Sequence, residues 1–188
     1  HKTMKKVLLV LGMVALTFSM NAQETYKDYS KGETQLVIKE GKSQGTMYMD
    51  LGDIGLILNA KDREKYGIFL TESYAKFSEW KEVALENEVK ELTKEIKKIS
   101  VPSYFKYGSK WCFSTANMNT SIYIVDGEIR MYAYIGKMKA SANQFMVSKS
   151  ELIFLTEDDI KEILEVMNEE EINAFLNKTN STEDLFKN

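Results

Sequence analysis

Apolar side chains recur at three- and four-residue steps over residues 60 to about 87, so they form one stripe along a predicted helix. The residues between them are mostly lysines and glutamates, which is typical of a solvated helix surface. Asn59 followed by Asp62 is a capping signal at its start. The stripe consists of Tyr66, Phe69, Leu70, Tyr74, Phe77, Trp80, Val83 and Ala84. A flat apolar partner is needed to bury it.

Gly67 lies inside this pattern and allows a second interpretation. A glycine weakens a helix by roughly 1 kcal/mol relative to alanine, and the helix could end there, with residues 66–70 forming a strand. The stripe keeps its phase across Gly67. We therefore predict one continuous helix.

Period-two alternation predicts strands on both sides of the helix. Asp126-Gly127 lies between two alternating runs and favours a type I′ hairpin. Gly108-Ser109 marks a neighbouring hairpin. The predicted strands are residues 35–40, 46–51, 53–58, 104–107, 110–115, 121–125, 128–135, 143–148 and 151–155.

The last part of the chain predicts helices again. Thr156 with Asp159 gives a helix cap, and Asn168 opens a further helix. The whole pattern predicts a single α+β domain over residues 23–188, with residues 23–32 as a loose leader. We expect a mainly antiparallel sheet of about seven strands, with the helix of residues 60–87 and the C-terminal helices packed on one face.

An internal echo relates the two halves of the domain. Residues 56–62 and 153–159 share three apolar residues, a cap and an acid three positions further on, at an offset of 97 residues. The echo predicts duplicated strand-strand-strand-helix units. Coincidence is the alternative, because a strand followed by a capped helix is common.

The first 22 residues have the pattern of an export signal. Three lysines precede an apolar run over residues 7–18, and Asn21-Ala22-Gln23 provides a cleavage point. The run is short for crossing a bilayer of about 30 Å, so no membrane span is expected after cleavage. This indicates export to the periplasm or beyond in a Gram-negative type of cell.

Composition excludes several classes of function. The chain has 25 basic and 28 acidic residues, and loss of the signal removes three lysines and no acid, so its net charge becomes −6. This charge argues against nucleic-acid binding. Apart from His1 in the signal there is no histidine, and Cys112 is the only cysteine. Histidine-based catalysis, zinc, copper and iron-sulfur sites are therefore not expected, and neither is any other cofactor.

The Asp126-Gly127 hairpin separates two sheet faces if its turn has two residues. One face is aliphatic, with Ile122, Ile124, Ile129, Met131, Ala133 and Ile135, and suits the long helix. The other carries Tyr123, Val125, Glu128, Arg130, Tyr132 and Tyr134. Tyrosines around one arginine can stack on a sugar or bind a peptide. We predict a ligand site at Tyr123, Arg130, Tyr132 and Tyr134, with Trp111 nearby. The alternative is that a second layer covers this face.

Two resemblances follow from these features. The lysine-led signal ending in Asn21-Ala22-Gln23, with a lysine-rich mature chain, resembles small uncharacterised exported proteins of Bacteroidota. The duplicated units resemble the architecture of whirly-type single-strand-binding domains, but export and negative charge argue against that activity.

The sequence thus predicts a non-enzymatic exported binding or envelope-associated protein that binds a glycan or peptide. The alternative is a small hydrolase acting on glycans through two carboxylates in one concave pocket with aromatic walls. No pair among the 28 acids is singled out.

Overall fold

The long helix forms as predicted. In the computed structural model of this protein, which describes residues 23–37 and 45–184, α1 spans Ala60–Glu86 and passes through Gly67 without a break. The Asn59 side chain accepts a hydrogen bond from the Asp62 backbone N–H at 3.0 Å, which satisfies an amide that the first turn leaves unpaired. Asn87 caps the other end.

Eight antiparallel strands form the main sheet, in the order β1-β2-β3-β4-β5-β6-β7-β10, and β8 pairs with β9 in a separate ribbon. The strands are β1 (Gln23–Tyr29), β2 (Gly32–Val37), β3 (Thr46–Asp50), β4 (Ile54–Leu58), β5 (Leu92–Tyr107), β6 (Lys110–Val125), β7 (Glu128–Ile135), β8 (Lys139–Ala140), β9 (Asn143–Val147) and β10 (Glu151–Leu155). With the helices on one face, this confirms the predicted α+β fold.

The two C-terminal helices begin where the sequence predicts. α2 spans Glu157–Val166 and begins with a complete capping box formed by Thr156 and Asp159. α3 spans Glu169–Asp184 and begins directly after Asn168, whose side chain caps it. Asp159 also accepts a hydrogen bond from the Ser30 hydroxyl at 3.0 Å, in the turn between β1 and β2. α2 directly follows β10 and also contacts β1, so it links the two edge strands of the sheet.

The Asp126-Gly127 turn has the predicted type I′ geometry. Both residues have positive φ, 52° and 81°, which only this kind of tight hairpin turn requires of two successive residues. The pairing Val125↔Glu128 and Tyr123↔Arg130 matches the predicted register pair for pair. At the Gly108-Ser109 hairpin, Tyr104 pairs with Phe113 and Lys106 with Trp111, also as predicted.

The aliphatic face of this hairpin lies in the core. Ile122, Ile124, Met131, Ala133 and Ile135 are all buried, together with most of the α1 stripe. Phe77 is 8% exposed, and Trp80 is partly covered by Lys94, whose ammonium lies 4.1 Å from the ring centroid. Val83, which belongs to the predicted stripe, is instead 52% exposed, whereas the next residue, Ala84, is 4% exposed.

Three segments differ from the sequence predictions. Residues 23–29, expected within a loose leader, form edge strand β1 by pairing with β2. β5 begins at Leu92, in a charged stretch for which no strand is predicted, and continues through Pro102. β6 is one strand of 16 residues instead of the two predicted strands, residues 110–115 and 121–125. These segments are strands because they pair with neighbouring strands. β5 and β6, for example, are paired along their full lengths.

The same topological unit occurs twice in the chain. β1 to β4 followed by α1, and β5, β6, β7 and β10 followed by α2, are each four antiparallel strands and a capped helix. The echo around residues 56–62 and 153–159 therefore marks equivalent strand-to-helix junctions.

The predicted export signal (residues 1–22), most of the predicted loop at residues 41–45 and the last four residues lie outside the described part of the chain.

Gly67 offers a stabilising substitution. An added Cβ would lie 3.5 Å from Leu164 Cδ2, an ordinary van der Waals contact, and the backbone is helical. We expect Gly67→Ala to raise the free energy of unfolding by roughly 1 kcal/mol, since alanine loses less backbone entropy in a helix. Urea unfolding measures this. A decrease in stability would show that the α1 and α2 contact has no room for a methyl group.

Candidate functional site

The predicted site residues on β6 and β7 lie on one open face of the sheet. Tyr123 pairs with Arg130 across the hairpin, and Tyr132 and Tyr134 follow on the same side of β7. β10 adds Phe154 beside Tyr132 and Leu152 beside Tyr134. We call these six residues, Tyr123, Arg130, Tyr132, Tyr134, Leu152 and Phe154, the tyrosine face. Within the described residues the helices pack on the other side of the sheet, and Tyr134 and Phe154 are 39% and 40% exposed.

The rings of the tyrosine face contact each other in a row. Tyr132 meets Tyr123 at a centroid distance of 6.0 Å and Phe154 at 6.5 Å, both edge to face. The Arg130 guanidinium carbon lies 5.3 Å from the Phe154 ring centroid, and its Nε donates to Glu128 at 2.8 Å. Such contacts hold each ring in place. The row is thus an ordered aromatic surface.

Trp111 lies apart from this row, contrary to the expectation. It is on β6 like Tyr123, but twelve residues earlier, which corresponds to about 40 Å along an extended strand. Trp111 is 58% exposed and contacts the Tyr104 ring at 5.4 Å, which in turn contacts Tyr48 at 5.5 Å. Together Tyr48, Tyr104 and Trp111 form a second group, the Trp111 cluster.

Tyr104 organises the Trp111 cluster. Its ring lies flat across Gly55, the residue it pairs with on β4, and its hydroxyl donates to the Asp50 carboxylate. Burial, together with this bond to a carboxylate, raises the pKa of the Tyr104 hydroxyl, so the group stays protonated as a donor. An aromatic ring covering a cross-strand glycine stabilises a sheet. The cluster therefore has a structural role in addition to its exposed tryptophan.

Neutral polar side chains separate the two aromatic groups. Along the outer side of β6, Thr115, Asn117 and Asn119 lie between Phe113 and Tyr123. Asn117 Oδ1 accepts a hydrogen bond from the Ser100 hydroxyl at 2.7 Å. The outer face thus offers rings at its two ends and amide and hydroxyl groups between them.

A cavity of about 460 Å³ opens beside the tyrosine face. It exists because the ladder between β7 and β10 ends at Met131 and Leu155, while β7 continues to Glu128. α1 closes its other side. The lining consists of Tyr74, Phe77, Lys81, Ile129, Arg130, Met131, Phe154, Leu155, Thr156 and Glu157.

Glu157 is the acid of this cavity, and neighbouring groups hold it ionised. The Lys161 ammonium lies 2.7 Å from its carboxylate and the Tyr74 hydroxyl donates to it at 2.7 Å. These two bonds lower the pKa of Glu157, and the same carboxylate raises the pKa of Tyr74. A proton-donating acid, which glycoside hydrolysis requires, is therefore not what this carboxylate provides.

A second cavity, of about 560 Å³, lies between α1 and α2 and contains Glu64, Glu72 and Glu169. Its other walls are aliphatic or small, and two of the acids are already paired: Glu169 with Arg63 and Glu72 with Lys97. The aromatic walls and free acid pair expected of a glycosidase are not found in it.

Sequence reasoning missed Phe154 as a member of the tyrosine face. The alternation of Leu152 and Phe154 with Ile153 and Leu155 was visible, but nothing in the sequence shows that β10 pairs with β7. Cys112 is buried, with its sulfur 3.7 Å from the Met146 sulfur. Within residues 23–37 and 45–184, no group of three or more acidic, cysteine or histidine side chains could hold a metal ion.

None of the helices in the described ranges combines the length and the apolar character that crossing a membrane requires. Comparison with protein-family models, curated proteins and solved structures finds no match to this chain.

Proposed function

We propose that this is an exported, non-enzymatic binding protein that holds a glycan chain on the outer face of its sheet. The observation that carries the proposal is the tyrosine face: a row of mutually ordered rings that no second layer of the described structure covers. Exposed apolar patches of this kind mark interaction sites in soluble proteins.

The groups around the rings favour a sugar over a peptide. The flat faces of sugar rings stack on aromatic side chains, and their hydroxyls bind to neutral amide and hydroxyl groups. Thr115, Asn117 and Asn119 supply such groups along β6, between the tyrosine face and the Trp111 cluster. A ligand that used both groups of rings would be an extended chain, since they lie at opposite ends of a 16-residue strand.

Export is the compartment that the sequence predicts, from the lysine-led apolar segment before Gln23. A periplasmic or surface location agrees with glycans as ligands. The net negative charge of the mature chain continues to argue against nucleic acid as the partner.

Removal of two rings tests the proposal. We expect the variant Tyr132→Ala with Tyr134→Ala to keep its circular dichroism spectrum but to bind at least tenfold more weakly on a glycan array, since each ring contributes about 1 kcal/mol or more by stacking. Tyr107→Ala is the matched control. Tyr107 is also an exposed tyrosine, 46% accessible, but alternation along β5 places it on the other side of the sheet from Tyr104.

The outcomes separate the ligand classes. Equal loss of binding in the double variant and in the Tyr107 control would contradict a role for the tyrosine face, as would binding that neither variant changes. Binding to a peptide array alone, lost in the double variant, would keep the face as the site and replace the glycan with a peptide.

The second predicted function, a carboxylate-dependent glycan hydrolase, has less support. Three of the acids that line the two cavities described above, Glu72, Glu157 and Glu169, are engaged by lysine, arginine or tyrosine. Those cavities also lack a pair of free carboxylates between aromatic walls. Release of reducing ends from any glycan that binds the array would favour hydrolysis over simple binding.

A further inference from the structure

We propose that the cavity at the end of β10 is a separate binding site for a small amphipathic carboxylate, an apolar chain or ring that ends in one carboxylate group. The site is distinct from the sheet surface that binds the proposed glycan. It meets that surface only at Arg130 and Phe154.

The interior of the cavity is apolar. Phe77, Met131 and Leu155 are nearly fully buried and form its floor, and Ile129 and the ring of Tyr74 complete the wall. At about 460 Å³ it lies within the size range of small-molecule sites and has room for a chain of roughly ten carbons. Burial of such a chain supplies most of the binding free energy.

The charges at the rim favour an anion. Lys81 and Arg130 both line the cavity, from α1 and β7 respectively. Among the described residues, Glu157 is the one acid in the lining. It is already bonded to Lys161 and Tyr74, and the Lys161 ammonium offsets much of its charge. In the described part of the chain Lys81 has neither a hydrogen bond nor an ion pair, and it acts on Glu157 only at longer range.

Lys81 and Arg130 extend from different elements, α1 and β7, so the carboxylate head group of the ligand would lie between them. Arg130 is oriented by its stacking on Phe154 and its ion pair with Glu128, so its guanidinium is held at the mouth. This ion pair offsets part of the charge of Arg130, which leaves Lys81 as the main cation for an anionic ligand. Lys81 has a long, exposed side chain that can complete the contact. A carboxylate between them would receive charge-assisted hydrogen bonds, while the apolar part of the ligand would extend toward Phe77 and Met131.

Decanoate is a suitable probe, with decan-1-ol as its neutral counterpart. We expect titration calorimetry of the purified mature chain to show saturable decanoate binding and at least tenfold weaker decan-1-ol binding. Lys81→Gln should weaken decanoate binding about tenfold, because it removes one of the two cations. Lys61→Gln is the control, since Lys61 is an exposed lysine of the same helix and is not part of the cavity lining.

A second variant tests the cavity itself. Ile129→Trp should fill the space and abolish decanoate binding while the chain stays folded, because Ile129 is only partly buried at the margin of the core. Unchanged decanoate binding in both Lys81→Gln and Ile129→Trp would overturn the proposal. So would binding lost in the Tyr132→Ala and Tyr134→Ala variant but kept in Lys81→Gln, since decanoate would then occupy the tyrosine face.

The variants distinguish decanoate binding in the cavity from glycan binding on the tyrosine face. Lys81 is not part of the tyrosine face, so Lys81→Gln should leave glycan binding unchanged. Loss of glycan binding in the ring variant with intact decanoate binding would support two independent sites.

Discussion

Replacement of Arg63 by methionine should lower the free energy of unfolding by about 3 to 5 kcal/mol, more than any other substitution that we propose. Arg63 is 2% exposed on α1. Its Nη1 donates to the carbonyl oxygens of Gly45 at 2.8 Å and Leu58 at 3.0 Å, and its Nη2 donates to Glu169 at 2.9 Å. One side chain therefore joins α1, the ends of two strands and α3.

The size of the effect follows from what the substitution leaves behind. Methionine fills a similar volume, so the cost comes from buried carbonyl oxygens that lose their donor rather than from a cavity. Glu169 is 45% exposed and can be solvated by water, so its share is small. Chemical denaturation with fluorescence detection measures the change.

Two companion variants define the cause. Glu169→Gln keeps an acceptor and both carbonyl contacts and should cost only about 1 kcal/mol. Lys61→Met, two residues earlier on the exposed side of the same helix, should change stability by less than about 0.5 kcal/mol. A loss of under about 1 kcal/mol in Arg63→Met would mean that the carbonyl oxygens find other donors and that Arg63 does not join these elements.

The second large effect is expected at Gly55. An added Cβ there would lie far inside van der Waals contact with Cζ of Tyr104. The Tyr104 ring is buried between Tyr48 and Trp111, and its hydroxyl bonds to Asp50, so it cannot swing aside without losing these contacts. We expect Gly55→Ala to cost about 2 to 4 kcal/mol of stability.

A double-mutant cycle isolates this contact. In a Tyr104→Ala background the clash is gone, and Gly55→Ala should then be neutral or slightly stabilising, since alanine has less conformational freedom to lose in a strand than glycine. Gly136→Ala is the control. Its added Cβ would meet no atom closer than 3.9 Å, so it should change stability by less than about 0.5 kcal/mol. An equal cost of Gly55→Ala in both backgrounds would place the strain in the backbone of β4 and not in the ring.

Local signals in the sequence located most helix boundaries and one complete hairpin. The caps at Asn59 and Thr156 depend on a side chain bonding to a backbone amide three residues away, and both form as predicted. The Asp126-Gly127 turn depends on positive φ at two adjacent residues and places every side chain of β6 and β7 near the turn on its predicted face. Such features need no knowledge of the rest of the chain.

Long-range pairing decided the features that the sequence left open. β1 and the first half of β5 carry no strong alternation, and they are strands because a neighbouring strand binds their backbone groups. The continuity of β6 separates Trp111 from Tyr123, two residues that the sequence suggested would lie together. Pairing of β10 with β7 brings Phe154 to the tyrosine face.

By itself, then, the amino-acid sequence determined the secondary elements with local hydrogen-bonding signals and the two faces of the hairpin. Only the tertiary structure decided that the tyrosine face is open, that Arg63 is buried among carbonyl oxygens, and that a cavity with two cations lies beyond the end of β10. The physical reason is range. Caps and tight turns depend on bonds between residues a few positions apart, whereas exposure and cavities depend on which distant strands and helices meet.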